Sequence, residues 1–213
     1  MTTDRLGAGS RMHVLDWLDC GTFITSINRM LRPTGFLVPQ SGNRMPRGWH
    51  DPREARLGKD CEALIHDDIN TILINGWLTK VTAANVPNWD LACEARASGS
   101  RIGLVLVEAK AHEAEFLEGR LPKNEGNSEN HERISAAIEE ARRDLSRHAQ
   151  GVNISSAHWY QFSNRVAFAW KLASEGIPTV LIYLGFTGDG GMKYRSTPFR
   201  DHGRQPQAGL IVC

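Results

Sequence analysis

Apolar residues change their spacing along this chain, and each change marks a new element. From Met12 to Leu31 the positions Val14, Trp17, Leu18, Phe23, Ile24, Ile27 and Leu31 follow a helical period, enough for one or two short helices. Residues 32–53 lose that period and gain Pro, Gly, Arg and Asn, as an irregular connection does. A longer helical stripe runs from about Arg56 to Ile74 through Cys61, Ile65, Ile69, Ile72 and Leu73. Trp77 to Ala84 reads as a strand. A hairpin follows, with a tight turn at Ser98-Gly99-Ser100 and a second arm, Ile102–Val107, that is apolar without interruption. Unbroken runs of this kind belong to sheets covered on both faces. Residues 111–130 are polar, either a flap over the preceding strand end or a surface insertion. Helical spacing returns from about Glu129 to Ala149 (Ile134, Ala137, Ile138, Ala141, Leu145). It returns again over His158–Ser174, with Trp159, Phe162, Val166, Trp170 and Ala173 as the packing stripe. Gly176 and Pro178 close that helix. Thr179–Leu184 is a second apolar strand, and residues 188–207 are Gly/Pro-rich.

Charges break this pattern where they are expensive. Asp90 sits on the first arm of the hairpin, and Glu108 and Lys110 end the second. An ion at the end of a buried strand must pair or bind something. A fold about Gly99 puts Ala97 opposite Arg101 and Asp90 opposite Glu108, where facing Cβ atoms lie about 4.5–5.5 Å apart. Lys110, two residues beyond Glu108, shares its face. Two acids that close repel, and a proton or a cation relieves them. A slip of one residue in the turn would put the acids on opposite faces. Glu94 shares the face of Asp90 and is a reserve ligand. Glu62 lies on or beside the buried stripe of the 56–74 helix, and Gln161 and Arg165 stand one turn apart on the 158–174 helix.

In order, these elements read helix, strand, strand, strand, helix, helix, strand. The closely joined strands pair as a meander, while the last returns by a helical crossover. The expected fold class is therefore α/β, a mixed β-sheet flanked by helices. Residues 1–55 are expected as a helical and irregular extension packed on a core of 56–186, with 187–213 as a basic tail. Composition adds little. The chain has 213 residues, 41% of them hydrophobic and 23% charged, with a net charge of +1. Only local patches can therefore speak for a nucleic-acid partner. One such patch is Arg29, Arg32, Arg44, Arg47, Arg53, Arg56 and Lys59 with Trp49 and His50 interleaved, a phosphate-contacting edge or a solvated loop. The four cysteines have no C-x-x-C spacing, which fits a reducing cytoplasm better than a zinc site or a disulfide framework. No apolar run is long enough for a membrane span, and no signal-peptide pattern opens the chain.

Glu62 on a helix, Asp90 on a strand, Glu108-Ala109-Lys110 at the next strand end and Gln161 on a later helix resemble the PD-(D/E)XK nuclease superfamily, whose restriction-endonuclease-like core is α-β-β-β-α-β. The resemblance covers about residues 56–186. Gln161-Phe162-Ser163-Asn164-Arg165 is similar to the Q-x-x-x-Y element of the superfamily's RecB-like and lambda-exonuclease-like branches, with Arg165 in place of Tyr. Asp90 follows Trp89 rather than Pro. The stretches around Trp89-Asp90, Glu108-Ala109-Lys110 and Gln161 also resemble an uncharacterised bacterial family within the superfamily.

The resemblance implies a Mg²⁺- or Mn²⁺-dependent nuclease acting on DNA. Asp90, Glu108 and the Ala109 carbonyl would hold the metal, and Lys110 would orient or deprotonate water. Glu62 would serve a second metal directly or through water, and Gln161 and Arg165 would position phosphate or water. Arg56 and Lys59 are candidate substrate contacts. The alternatives are a catalytically silent nucleic-acid-binding or scaffold protein, a hydrolase of other phosphates, and a plain cross-strand ion network. Oligomeric state is not legible.

Overall fold

Two apolar strands that reach polar residues only at their ends need cover on both sides, and the fold supplies it. The structure is a computed structural model describing residues 9–57, 64, 87–111, 128–186 and 208–212. In chain order the elements are α1 (Ser10–Asp19), α2 (Phe23–Leu31), β1 (Arg44–Met45), β2 (Ala55–Arg56), β3 (Asn88–Trp89), β4 (Leu91–Arg96), β5 (Ile102–Lys110), α3 (Ser128–His148), α4 (Tyr160–Ser174), β6 (Thr179–Gly185) and β7 (Ala208–Val212). A five-stranded sheet has the order β1-β4-β5-β6-β7, and β2 and β3 form a separate pair. Only β5 and β6 are parallel, because the chain between them includes α3 and α4; every other pair is antiparallel.

Strand alternation divides the core in two. Leu104, Leu106, Leu181 and Tyr183 face α3 and α4, where they join Ala137, Ile138, Ala141, Val166 and Phe168. Val105, Val107, Ala109, Val180, Ile182 and Leu184 face the other way, onto Val14 and Leu18 of α1 and Phe23, Ile27 and Leu31 of α2. The sheet is thus a middle layer, and its charged strand ends can only lie at its rim. α4 is buried through Val166–Trp170 and again at Leu172, as befits a helix packed against both sheet and α3. Trp170 Nε1 donates to Asp144 Oδ2 of α3 at 2.8 Å.

The hairpin register is the expected one: Leu91 faces Val107 and Arg96 faces Ile102, with Ala97 N–H bonded to Arg101 O at 2.8 Å. Gly99 (φ 73°) and Ser100 (φ 62°) make the turn. α4 ends in a Schellman motif: Gly176 (φ 88°) donates to Ala173 O, and Ile177 to Leu172 O.

Several expectations change. Trp159 is not on the packing stripe. It precedes α4 with φ 49° and is 50% exposed, because the helix starts at Tyr160 and the preceding loop is tied down by Ser163 Oγ on Ser155 N–H. Arg56 pairs in β2 rather than opening a helix. The rest of the 56–74 helix, apart from Leu57 and Leu64, and the 77–84 strand lie outside the described residues, as does the 112–127 part of the polar excursion. The 32–53 connection contributes β1, and the chain's end contributes β7 to the same sheet. Among the described residues no helix is long and apolar enough to cross a membrane.

Gly103 marks a close approach in the sheet. A Cβ there would lie 2.5 Å from the Pro178 carbonyl and 3.1 Å from Phe36, while Leu104 N–H already bonds that carbonyl at 2.8 Å. Gly103→Ala is therefore expected to lower stability by about 1–3 kcal/mol, read from urea unfolding midpoints. An unchanged midpoint would contradict this packing.

Candidate active site

The face of β5 that carries Leu104 and Leu106 into the core continues to Glu108 and Lys110, so their charges are delivered against α4. Glu108 is 4% exposed and Lys110 7%. Burial of that depth demands partners, and they are present. Lys110 Nζ donates to Glu108 Oε1 at 2.7 Å and to Gln161 Oε1 at 2.9 Å. Arg165, one turn beyond Gln161, donates through Nε to Glu108 Oε2 at 2.8 Å and through a terminal nitrogen to the Asn88 carbonyl at 2.8 Å. Its guanidinium lies 5.0 Å from the centroid of the Trp89 ring. Each oxygen of Glu108 is thus held by its own cation.

Asp90 arrives differently. It occupies the bend between β3 and β4, just beyond the pair Leu91–Val107, where the β4–β5 pairing ends. Its Oδ2 accepts the Ala109 N–H at 2.8 Å, replacing a ladder bond with a side-chain bond. A residue's N–H and C=O leave a strand on the same side, so the Ala109 carbonyl lies on the edge where Asp90 sits. Burial first, and then the charge of Glu108, push Asp90 up to about 7, against the pull of the Ala109 N–H and Lys110. Lys110 and Arg165 both bond Glu108, and among the described residues no cation bonds Asp90.

Two neighbours complete the cluster without any forewarning in the sequence. Extending the β2–β3 register by one pair sets Glu54 opposite Asp90, whose proton affinity its charge raises further. Glu54 Oε2 accepts from the Asn88 side chain at 2.8 Å. Tyr183 stands beside Glu108 in the parallel ladder, its phenol held up by burial and then by the Glu108 charge.

The structure therefore brings together Asp90, Glu108, Ala109, Lys110, Gln161 and Arg165. Arg56 lies next to them, facing Asn88 in the small sheet. Lys59 and Glu62 lie outside the described residues. Glu94 is removed from the cluster: it faces Leu104 and accepts from Asn43 Nδ2 at 3.2 Å, so it does not serve as a reserve ligand. Trp49 is held by its polar edge and its backbone. Its indole N–H bonds Asp16 at 2.8 Å and its backbone N–H bonds Asp19 at 3.1 Å, which pins the 47–51 loop to α1.

Among the described residues no group of three or more His, Cys, Asp or Glu side chains is arranged to hold a metal. Mg²⁺ needs fewer, because one or two carboxylates suffice when waters and a phosphate complete its octahedron. Asp90 and Glu108 meet that requirement, and the raised Asp90 carboxyl is the group that a bound cation would relieve. In comparisons with known proteins, the chain matches no family model, no curated protein and no solved structure.

The Asp90 shift has a definite sign. A carboxyl whose folded pKa is raised binds its proton more tightly in the folded state. Its favourable contribution is complete below the ordinary value of 3.8 and is lost as pH rises through about 7. In chelator-treated protein, Asp90→Asn is thus expected to be near neutral at pH 4. At pH 8 it should stabilise by an amount on the order of a few kcal/mol. Urea unfolding of both proteins across that range gives the difference, and a pH-independent difference would contradict the assignment.

Proposed function

We propose that this protein is a Mg²⁺-dependent nuclease of the PD-(D/E)XK type that hydrolyses phosphodiester bonds in DNA within the cytoplasm. The observation that carries the reading is the convergence of Asp90 with Glu108-Ala109-Lys110. One acid comes from each arm of an antiparallel hairpin, and a lysine two residues on has its amine 2.7 Å from the second acid. The described order of elements, an antiparallel hairpin, then helices, then a parallel strand beside β5, supports a restriction-endonuclease-like reading.

When bound, Mg²⁺ or Mn²⁺ supplies Lewis acidity to the scissile phosphate and makes a coordinated water more acidic. Asp90, Glu108 and the Ala109 carbonyl would hold it. Lys110 keeps a positive amine at the site, where it stabilises charge developing on the phosphoryl oxygens and orients the attacking water. Gln161 fixes that amine by accepting one of its hydrogens, and Arg165 fixes the Glu108 carboxylate from the other side. Glu62 is assigned to a second metal, and Arg56 and Lys59 to the DNA backbone. Trp89, wholly buried, lies beneath the Arg165 guanidinium.

One observation favours a second reading, a catalytically silent nucleic-acid-binding scaffold: both oxygens of Glu108 are already bound by cations. Incubation with supercoiled and linear DNA decides between them. The nuclease reading predicts nicking or degradation with Mg²⁺ or Mn²⁺, abolished by a chelator. Asp90→Ala or Lys110→Ala should cut the rate at least about a hundredfold. Cleavage that survives both substitutions and chelation would refute this mechanism, and DNA binding without cleavage would favour the scaffold.

A further inference from the structure

We propose that Arg165 is the resting counter-ion of Glu108, and that it limits how tightly this end of the sheet holds a divalent cation. The inference rests on the metal-dependent reading above.

Glu108 is buried, and a carboxylate in that position without a partner would be severely destabilising. Lys110 and Arg165 divide the task unequally. The Lys110 ammonium sits on a flexible stem and is shared between Glu108 and Gln161. Arg165 is anchored at three points: Glu108 Oε2, the Asn88 carbonyl and the face of Trp89. A planar guanidinium held this way cannot turn aside without breaking all three contacts. With its side chain 11% exposed and two of its nitrogens engaged, it is poorly placed to receive a phosphate as its main partner. Its charge instead stays beside the carboxylate that a metal must share.

Like charges a few ångströms apart in a partly desolvated cluster repel strongly. Arg165 therefore keeps the protein folded when no metal is present, and the cost is weaker binding of the metal alone. An incoming phosphate brings the negative charge that offsets the guanidinium, so metal and phosphate are expected to bind more tightly together than either does singly.

The test is Mn²⁺ titration by calorimetry on the full chain, with folding checked by circular dichroism. Arg165→Gln and Arg165→Met remove the charge and are expected to bind Mn²⁺ at least about tenfold more tightly. Both should melt at lower temperature without metal. Arg165→Lys keeps the charge and should stay near the wild-type affinity. In the wild type, the Arg165 Nε–H resonance should shift as Mg²⁺ is added, a readout that needs no variant. Wild-type binding with unchanged or weaker affinity in the charge-free variants overturns this inference alone, as does an unmoved resonance at Mg²⁺ saturation. If neither wild type nor variants bind Mn²⁺, the metal-dependent reading falls with it.

Discussion

A carboxylate at 4% exposure cannot remain ionised in a protein interior unless something else is buried to match it, and Glu108 sets that requirement for its whole neighbourhood. It is met from two elements at once. Lys110 comes from the same strand, and Arg165 comes from α4 together with the glutamine that steadies the lysine. The link is also mechanical. Because Arg165 reaches past Glu108 to the Asn88 carbonyl and lies over Trp89, it joins α4 to β3 as well as to β5. The small β2–β3 sheet, and with it Glu54, is thereby tied to the rim of the main sheet.

The layered core explains why this cluster lies at a rim. Helices cover both faces of β5 and β6, so any polar group along those strands has to wait for the end of the run. There the antiparallel neighbour β4 has already stopped, at the bend containing Asp90. Asp90 takes over the missing ladder bond to Ala109, and the backbone thus fixes a second carboxylate close to the first, with no cation bonded to it among the described residues.

Much of this could be read from residue order. The turn at Gly99 sets the hairpin register, and alternation from Glu108 to Lys110 sets their common face; both hold in three dimensions. The one-turn spacing of Gln161 and Arg165 brings both to that face. What was not legible depended on contacts distant in sequence. Glu54 comes beside Asp90 only through the two-residue β2–β3 pairing, too short to leave a periodic signature. Tyr183 lies beside Glu108 only through the register of a parallel pair, which no local pattern specifies. Arg165 reads as a residue that positions phosphate or water, and nothing local reveals that Trp89 and the Asn88 carbonyl hold it. Trp159 fits a helical stripe by number, yet the Ser163 contacts that fix the preceding loop start the helix one residue later. β7 was missed because a glycine- and proline-rich approach conceals a five-residue strand that only an open sheet edge explains.

If, as proposed, Asp90 and Glu108 form one cation-binding, phosphate-hydrolysing site, Mn²⁺ should bind between them. A crystal of the protein grown with Mn²⁺ tests it most directly, through anomalous scattering. The account predicts a peak bridging the two carboxylates, within about 2.5 Å of an oxygen from each. Arg165 should still be stacked on Trp89. A fully occupied Mn²⁺ elsewhere on the molecule, with no peak between Asp90 and Glu108 and the Lys110–Glu108–Arg165 contacts unchanged, would contradict it.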